Sequence, residues 1–239
     1  MKKIHLVALL LLLMLPCTSW ATYTPTAYYN DNGEDKTSTD KFEVQAPANI
    51  TFKANPTDTV GNYLQGWAWK FYKENSQDPY LVRYEEETTF EFRESGVHIA
   101  RLYATYRQLL PDGRGGLEWR DTTVEEGSIR VTILTSLLEM PNAFSPNGDG
   151  VNDLYRAKQN YRSIVEFHAY IFNRWGQKLY EWDNLAGGWD GTFNGHPVKA
   201  GVYFVLVKAR GADGHEYRIK RDVNLLREHT LESGSSTNP

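Results

Sequence analysis

The segment VEFHAYIFNRWGQKLYEWDN, residues 165–184, decides the fold of the C-terminal part of the chain. Every second residue from Val165 to Ile171 is apolar, which is the period of a β-strand with one buried face. Asn173-Arg174-Trp175-Gly176 follows as a turn, in which glycine supplies the left-handed backbone conformation. Residues 177–182 then return as the next strand. The segment therefore predicts two antiparallel strands on one sheet.

The residues on either side of this segment extend the same pattern. Val202 to Lys208 is nearly continuous in apolar residues, which predicts a central strand. Asp213-Gly214 is a two-residue hairpin signal, and Tyr217 to Val223 is expected to pair back. Gly187 to Gly191 places three glycines around Trp189, so we expect a tight turn with backbone close to the indole. The region 138–227 thus predicts a seven-stranded β-sandwich.

Residues 42–135 show a second set of short strands broken by turn residues. This spacing is typical of a sandwich of two antiparallel sheets. In the strand Val97 to Tyr106, His98 is expected to face the core with the small and apolar residues that alternate with it. The fold class is therefore all-β, with two tandem antiparallel sandwiches. The strand-forming residues are Phe42, Val44, Ala46, Ile50, Phe52, Ala54, Trp67, Trp69, Phe71, Phe90, Phe92, Ile129, Val131 and Ile133.

The two ends of the chain have different compositions from the middle. Lys2 and Lys3 precede an apolar run of about ten residues and a small-residue site, which predicts a cleaved signal peptide over 1–21. The run is shorter than the ~20 residues that a transmembrane helix needs, so no transmembrane segment is predicted. Residues 22–41 predict a polar leader, and residues 228–239 a disordered tail.

Charge and cysteine content exclude two classes of function. The chain has 26 Lys and Arg against 30 Asp and Glu, and loss of Lys2 and Lys3 with the signal peptide changes the formal charge from −4 to 24 − 30 = −6. A mildly acidic protein lacks the electrostatic footprint of nucleic-acid binding. Cys17 is the only cysteine and would leave with the signal peptide, so we expect no disulfide or thiol chemistry. Pro16 before it disfavours a lipid anchor.

The stretch FSPNGDGVND, residues 144–153, leaves two alternatives open. It could be a calcium loop with Asn147, Asp149 and Asp153 as ligands, because calcium loops place oxygens at alternating positions. However, Ser145 stands where such a loop needs Asp, and Arg156 stands where it needs Glu. The composition therefore favours a turn in which Asx side chains satisfy backbone N–H groups, with Ca²⁺ as the alternative and no other cofactor expected.

No pattern in the chain predicts a catalytic site. There is no G-x-S-x-G nucleophile elbow and no histidine pair with metal-ligand spacing. Asp190 has no partner carboxylate, so a turn cap is the simpler interpretation. We therefore expect no catalytic residue and no enzyme activity. Aromatic sugar platforms are a further alternative: Trp67 and Trp69 are expected in the core, whereas Trp119, near a loop, is the carbohydrate-binding candidate.

The stretches PANITFKANPTD, WAWKF and TTFEFRESGVHIARLYAT carry a family resemblance in the N-terminal half. They resemble the PKD/Ig-like domains of bacterial surface proteins. The sequence departs from the PKD pattern after Trp69, where Phe71-Tyr72-Lys73 replaces the usual Gly-Asp-Gly turn. The resemblance implies an interaction or spacer module, whose partner would be a surface protein or a glycan.

The C-terminal half carries a more specific resemblance through four motifs in order. These are PNAFSPNGDGVND, VEFHAYIFNRWGQKLYEWDN, GGWDGTFNGHPVKAGVYFVLVKA and YRIKRDVNLLR. Together they resemble the gliding-motility-associated C-terminal domain of Bacteroidetes, the type B sorting domain of the type IX secretion system. The resemblance implies that outer-membrane secretion machinery reads the folded domain. The protein would then pass through the periplasm to the cell surface or the medium.

The same resemblance implies which residues would form the sorting contact. A competing hypothesis is a surface adhesin or carbohydrate-binding structural protein, in which the C-terminal domain has no sorting role. The implied contact residues lie in the opening loop and in the first hairpin turn: Asn147, Asp149, Gly150, Asn152, Asp153, Arg174, Trp175 and Gly176.

Overall fold

The computed structural model describes residues 23–56 and 64–227, and these residues form strands and connections without a helix. Among them no helix has the length and apolarity that a bilayer crossing requires. The predicted signal peptide over 1–21 and tail over 228–239 lie outside the described residues. The strands are β1 (Thr26–Asp31), β2 (Glu34–Ser38), β3 (Lys41–Val44), β4 (Ala48–Lys53), β5 (Leu64–Lys73), β6 (Leu81–Arg83), β7 (Glu87–Phe92), β8 (Gly96–Pro111), β9 (Leu117–Ile133), β10 (Ala143–Phe144), β11 (Ile164–Phe172), β12 (Lys178–Trp182), β13 (Thr192–Phe193), β14 (His196–Pro197), β15 (Gly201–Gly211) and β16 (Glu216–Leu225).

The chain divides into two compact units. The first unit takes its described residues from 1–42, 49–90 and 97–131. The second unit takes 43–48, 91–96 and the described part of 132–239. Its long C-terminal segment contains β10 to β16.

The first unit is built from a four-stranded and a five-stranded sheet. Their strand orders are β2-β1-β4-β7 and β3-β9-β8-β5-β6. Phe52 on β4 packs against Trp69 and Phe71 on β5, with ring centroids 5.5 and 5.3 Å apart, and all three side chains are fully buried. These aromatic contacts join the two sheets across one core, which confirms the predicted sandwich architecture.

The inward face predicted for β8 is confirmed. His98 is buried on the same face as Ala100, Leu102 and Ala104. Its Nδ1 lies 2.8 Å from the Tyr80 hydroxyl, so the ring is hydrogen-bonded inside the core. His98 is therefore a packed structural histidine.

The predicted polar leader over 22–41 is wrong from Thr26 onward. Residues 26–31 and 34–38 form the antiparallel pair β1 and β2, and Ala27 is completely buried. Asp31 pairs with Glu34 across a two-residue loop, in which Asn32 and Gly33 have φ of 54° and 91°. Asn-Gly is the preferred sequence for this type of hairpin turn, so the sequence contains a hairpin signal at this position. The polar composition of residues 22–41 nevertheless led to the prediction of a leader.

The second unit contains seven strands in its C-terminal segment, but they are divided unequally. Five form a sheet of order β10-β16-β15-β11-β12, and β13 with β14 forms a short separate hairpin. The strand β15 is central, as its apolar composition predicts, and β10 pairs with β16 in parallel. The second layer therefore depends on side chains from loops, above all Tyr155 and Trp189, which are fully buried in the core of this unit.

The hairpin predicted at Asp213-Gly214 has a longer loop than expected. The last paired residues are Arg210 and Glu216. Gly211 N–H bonds the His215 carbonyl, and Gly214 has φ of 77°. Strand β16 runs antiparallel to β15 from residue 216 to residue 225, which confirms the predicted return of the chain.

Replacing Phe71 by alanine should destabilise the first unit by about 3–5 kcal/mol, because the ring is fully buried against Phe52 and Phe90 and would leave a cavity. Urea denaturation of the full chain, resolved by hydrogen exchange of the β5 amides, measures the change. The matched control is Tyr84→Ala, since Tyr84 is 79% exposed and its loss should change stability by about 0.5 kcal/mol or less. An equal effect of the two substitutions would contradict the assigned core.

Candidate recognition surface of the second unit

The two predicted contact segments leave the five-stranded sheet at the same end. Phe144 ends β10 and pairs in parallel with Leu225, the last residue of β16. Phe172 ends β11 and pairs with Phe204, close to the start of β15. The loop 145–153 and the turn 173–177 therefore emerge at one end of the sheet.

They emerge at opposite edges of that end. Strand β10 is one edge of the sheet, and β16 and β15 lie between it and β11. With strands about 4.8 Å apart, three strand spacings separate the two segments by about 14 Å. The structure thus brings the predicted sorting residues to one surface, in two separate clusters.

The carboxylate of Asp153 organises the loop 145–153. Its Oδ1 accepts the backbone N–H of Asn147 at 3.0 Å and of Gly148 at 2.7 Å, and its Oδ2 accepts that of Gly150 at 2.8 Å. The N–H groups of Gly148 and Gly150 hold the pKa of Asp153 below its usual value, with a smaller contribution from Asn147. A charged carboxylate therefore fixes the loop backbone.

Asn147 and Asp149 form a second set of contacts inside the same loop. The Asn147 side-chain oxygen accepts the Asp149 N–H at 3.2 Å, and its Nδ2 donates to Asp149 Oδ2 at 2.9 Å. The other Asp149 oxygen accepts the Val151 N–H at 2.7 Å. Asn152 contributes its backbone, since its carbonyl accepts the Ser145 N–H and its φ is 54°.

These contacts have the geometry of the self-bonded Asx turn. Each side-chain oxygen of Asn147, Asp149 and Asp153 already accepts an N–H, so a calcium ion would compete with those donors. In the described part of the chain, no three His, Cys, Asp or Glu side chains come together in a way that could hold a metal. Calcium binding at this loop stays a prediction.

Asn173 organises the turn 173–177, a role that the sequence analysis did not assign. Its Oδ1 accepts the N–H groups of Trp175 and Gln177, both at 3.0 Å, and its Nδ2 donates to Gln177 Oε1 at 3.0 Å. Gly176 adopts φ of 81° and donates to the Asn173 carbonyl. The sequence does carry a signal for this role, because an asparagine side chain can accept the backbone N–H two residues further on and form an Asx turn.

The turn presents Trp175 to solvent. The indole is 76% exposed, and the Arg174 guanidinium lies over it at 4.4 Å from the ring centroid. Burial raises the pKa of Tyr203 on β15, and the positive charges of Arg227 and Arg174 oppose that shift. The positive charge of Arg174 therefore acts on Tyr203, which lies on the central strand at the same end of the sheet.

Arg227 links the loop 145–153 to the connection that follows Trp189. Its guanidinium donates to the carbonyl of Pro146 at 3.5 Å and to that of Gly191 at 3.2 Å. A Cβ on Gly191 would lie 3.0 Å from Leu225 and 3.1 Å from Pro146. The sequence analysis did not predict this role of Arg227, because the two carbonyls that it contacts belong to segments distant from it in the chain.

The buried side chain of Trp189 holds this connection against the core, as the glycine-rich sequence around it predicts. The indole Nε1 donates to the Thr192 carbonyl at 2.7 Å, and the ring contacts Phe144 and Tyr203. A Cβ on Gly188 would lie only 2.8 Å from the Tyr155 carbonyl oxygen. Asp190 accepts both the N–H and the hydroxyl of Thr192, which is the expected turn cap.

The tryptophans considered as sugar platforms have different environments. Trp69 is fully buried, and Trp67 is half-buried on the same strand. Trp119 lies on β9 in the first unit and is 54% exposed, as predicted. Exposure leaves it accessible to a ligand but does not identify one.

The C-terminal part of the chain matches a known family. Residues 138–221 match the model of the CHU_C Type IX secretion signal domain. The second unit carries a type IX secretion signal domain. This domain supports a secreted protein with a sorting signal, found at the cell surface or outside the cell, and implies interaction with the secretion machinery.

No curated protein matches the chain. Dimeric latent PorU from Porphyromonas gingivalis is similar in structure, with 14% identity and a TM-score of 0.25 over 86% of this chain and 20% of that chain. The chain thus spans a fifth of the length of that solved chain.

Replacing Asp153 by asparagine should loosen the loop 145–153, because an amide nitrogen would face backbone N–H groups that now have acceptors. Nuclear magnetic relaxation should show order parameters at 147–150 falling from about 0.85, typical of rigid backbone, to about 0.6. The carboxylate contribution is present above the unfolded pKa of about 3.9. It is lost as the pH falls through the lowered folded pKa.

The matched control is Asp183→Asn, an exposed carboxylate of the same unit outside the loop. Order parameters at 147–150 should keep their native values in that variant. Native values in the Asp153 variant at neutral pH would contradict the assigned role of the carboxylate.

Proposed function

We propose that the second unit acts as the export address of a non-enzymatic surface or secreted protein, and that its contact region consists of the loop 145–153 and the turn 173–177. The observation that carries the proposal is the match of residues 138–221 to a type IX secretion signal domain. The first unit then acts as an interaction or spacer module, with a surface protein or a glycan as partner.

The rigidity of the two segments supports a recognition role. Asp153 and Asn173 fix the backbone of their segments through hydrogen bonds inside each turn. A surface that is ordered before binding loses less conformational entropy when it meets a receptor. Both segments also expose apolar side chains, Val151 in the loop and Trp175 in the turn, which suit contact with protein.

The route follows from the same assignment. A chain with a predicted signal peptide enters the periplasm first, and an outer-membrane machinery then reads the folded second unit. The side chains at the recognition end are hydrogen-bonded carboxylates, an exposed indole and cations. This set suits binding to a protein partner.

A second candidate function, ligand binding by the first unit, is favoured by the tip of the β8–β9 hairpin. Arg107 pairs with Asp121, and Thr105 contacts Thr123, so Leu109 lies opposite Trp119 in the same register. Leu109, Leu117 and Trp119 are all exposed there. An exposed aromatic with apolar neighbours is a typical binding tip for a glycan or a protein.

Deleting residues 138–239 should keep the protein inside cells of a type IX-competent host, because the sorting signal is removed. In the full-length chain, Trp175→Ala should lower the exported fraction, since it removes an exposed indole from the turn. Fractionation with an epitope in the first unit measures cell-associated, surface and medium protein, and total protein corrects for degradation. Tyr84→Ala is the control for loss of an exposed aromatic ring, and export of the truncated chain at the full-length level would contradict the proposal.

Replacing Trp119 by alanine should abolish glycan binding by the full chain, because stacking on an indole contributes much of the affinity of such sites. A glycan array measures the signal of each protein. Trp175→Ala removes an even more exposed indole from the other unit and should leave the signal unchanged. Silence of the unsubstituted chain on the array would dismiss the carbohydrate hypothesis.

A further inference from the structure

The central strand β15 presents apolar side chains to both faces of its sheet. Tyr203, Val205 and Val207 point into the core and are buried. Val202 and Phe204 point to the other face and are 50% and 41% exposed. A nearly continuous apolar strand is the pattern of burial on both faces, whereas the described residues bury only one face of β15.

Half-buried apolar side chains continue this face onto β11. Phe172 lies opposite Phe204, and Tyr170 lies opposite Leu206. The rings of Tyr170 and Phe172 are 6.4 Å apart. These residues and Val202 form a contiguous surface, here called the outer apolar patch: Tyr170, Phe172, Val202, Phe204 and Leu206.

Cations border this patch farther along the same strands. Lys208 follows Leu206 on the outer face and lies opposite His168 on β11 and Arg218 on β16. Lys220 lies opposite Leu206. Arg218 forms an ion pair with Glu216. No carboxylate among the described residues lies within ion-pair distance of Lys208 or Lys220.

Two shallow depressions adjoin along β15 and are here together called the groove. Phe172, Phe204, Leu206 and Lys220 line the first one, and Asp222, which lies opposite Phe204, adds a carboxylate to it. Leu206 and Lys220 also line the second one, together with Lys208, Arg218 and the carboxylates of Glu166 and Glu216, which pair with Arg210 and Arg218. Phe204 and Lys208 are four residues apart, which corresponds to about 13 Å along a strand.

The groove is continuous with the turn 173–177. Phe172 immediately precedes Asn173, and the exposed Trp175 follows in the same turn. A partner that contacts the turn is thus adjacent to the apolar end of the groove. The free ammonium groups at the other end favour a partner that carries carboxylates.

We propose that this groove is a second docking surface for the secretion machinery, beyond the loop 145–153 and the turn 173–177. This inference rests on the proposed sorting function. The occupant is a protein segment of that machinery, with apolar side chains over Phe204 and carboxylates near Lys208 and Lys220. Its binding completes the burial of β15 on both faces, which the composition of this strand indicates.

The test uses full-length chains in a type IX-competent host, with the exported fraction as readout. Phe204→Glu should lower export about tenfold or more, the effect expected when a charge enters the buried centre of an interface. The double substitution Lys208→Glu and Lys220→Glu should lower it several-fold. The matched controls are Lys208→Arg with Lys220→Arg, which keeps both charges, and Tyr84→Glu, which places a charge at an exposed aromatic of the first unit. Both controls should be exported at the unsubstituted level.

Thermal unfolding of the purified proteins separates lost docking from lost folding. Lys208 and Lys220 are exposed, so their substitution should leave the unfolding temperature unchanged while export falls. If both the Phe204 variant and the double lysine variant are exported normally while the chain lacking 138–239 is retained, the groove inference is wrong and the sorting function stands.

Two other outcomes also overturn the inference. Normal export of the chain lacking 138–239 removes the sorting function and the groove inference with it. A purified chain that is dimeric in solution, and becomes monomeric through Phe204→Glu, would assign the groove to self-association instead. Sedimentation of the unsubstituted and substituted chains decides that case.

Discussion

The burial of Trp189, whose backbone pairs with that of Tyr155, is the interaction on which the second unit depends. A single five-stranded sheet has an apolar face that must be covered, and the β13–β14 hairpin is too short to cover it. Trp189 and Tyr155 supply the missing layer from connections between strands, and both rings pack against Phe144 on β10. The indole N–H is satisfied by the Thr192 carbonyl, so this large side chain is buried without an unpaired donor.

This covering layer has a consequence for the surface of the domain. Connections that carry core residues cannot move freely, and the backbone of Tyr155 is also paired with that of Trp189 through two hydrogen bonds. The loop 145–153 ends two residues before Tyr155 and follows directly on β10 at its other end. Both ends of this loop are therefore held by contacts that complete the core.

The sequence predicted which residues form strands more completely than it predicted which strands and side chains lie next to each other. Alternation located β4, β5, β8 and β11, since burial of one face imposes a period of two on each strand, and the Asp213-Gly214 turn signal located β16. It failed at β1 and β2, where polar composition on an exposed pair outweighed the Asn32-Gly33 turn signal. At the site, the composition of 144–153 predicted a self-bonded turn, but Asn173 and Arg227 were missed. Asn173 carries a local signal, whereas the two carbonyls that Arg227 binds come from segments distant in the chain.

The sequence by itself determined the all-β class, the faces that individual strands bury, and the turns at which Asx and glycine residues reverse the chain. These properties are local, because they follow from the period of side chains along one strand and from the backbone conformations that glycine and asparagine allow. Only the tertiary structure decided that β10 pairs with β16 in parallel, and hence that the loop 145–153 and the turn 173–177 share one end of the sheet. It also decided that the outer face of β15 stays uncovered among the described residues. Backbone hydrogen bonds between strands are the same for every residue pair, so strand order is fixed by the packing of the whole core and not by any single segment.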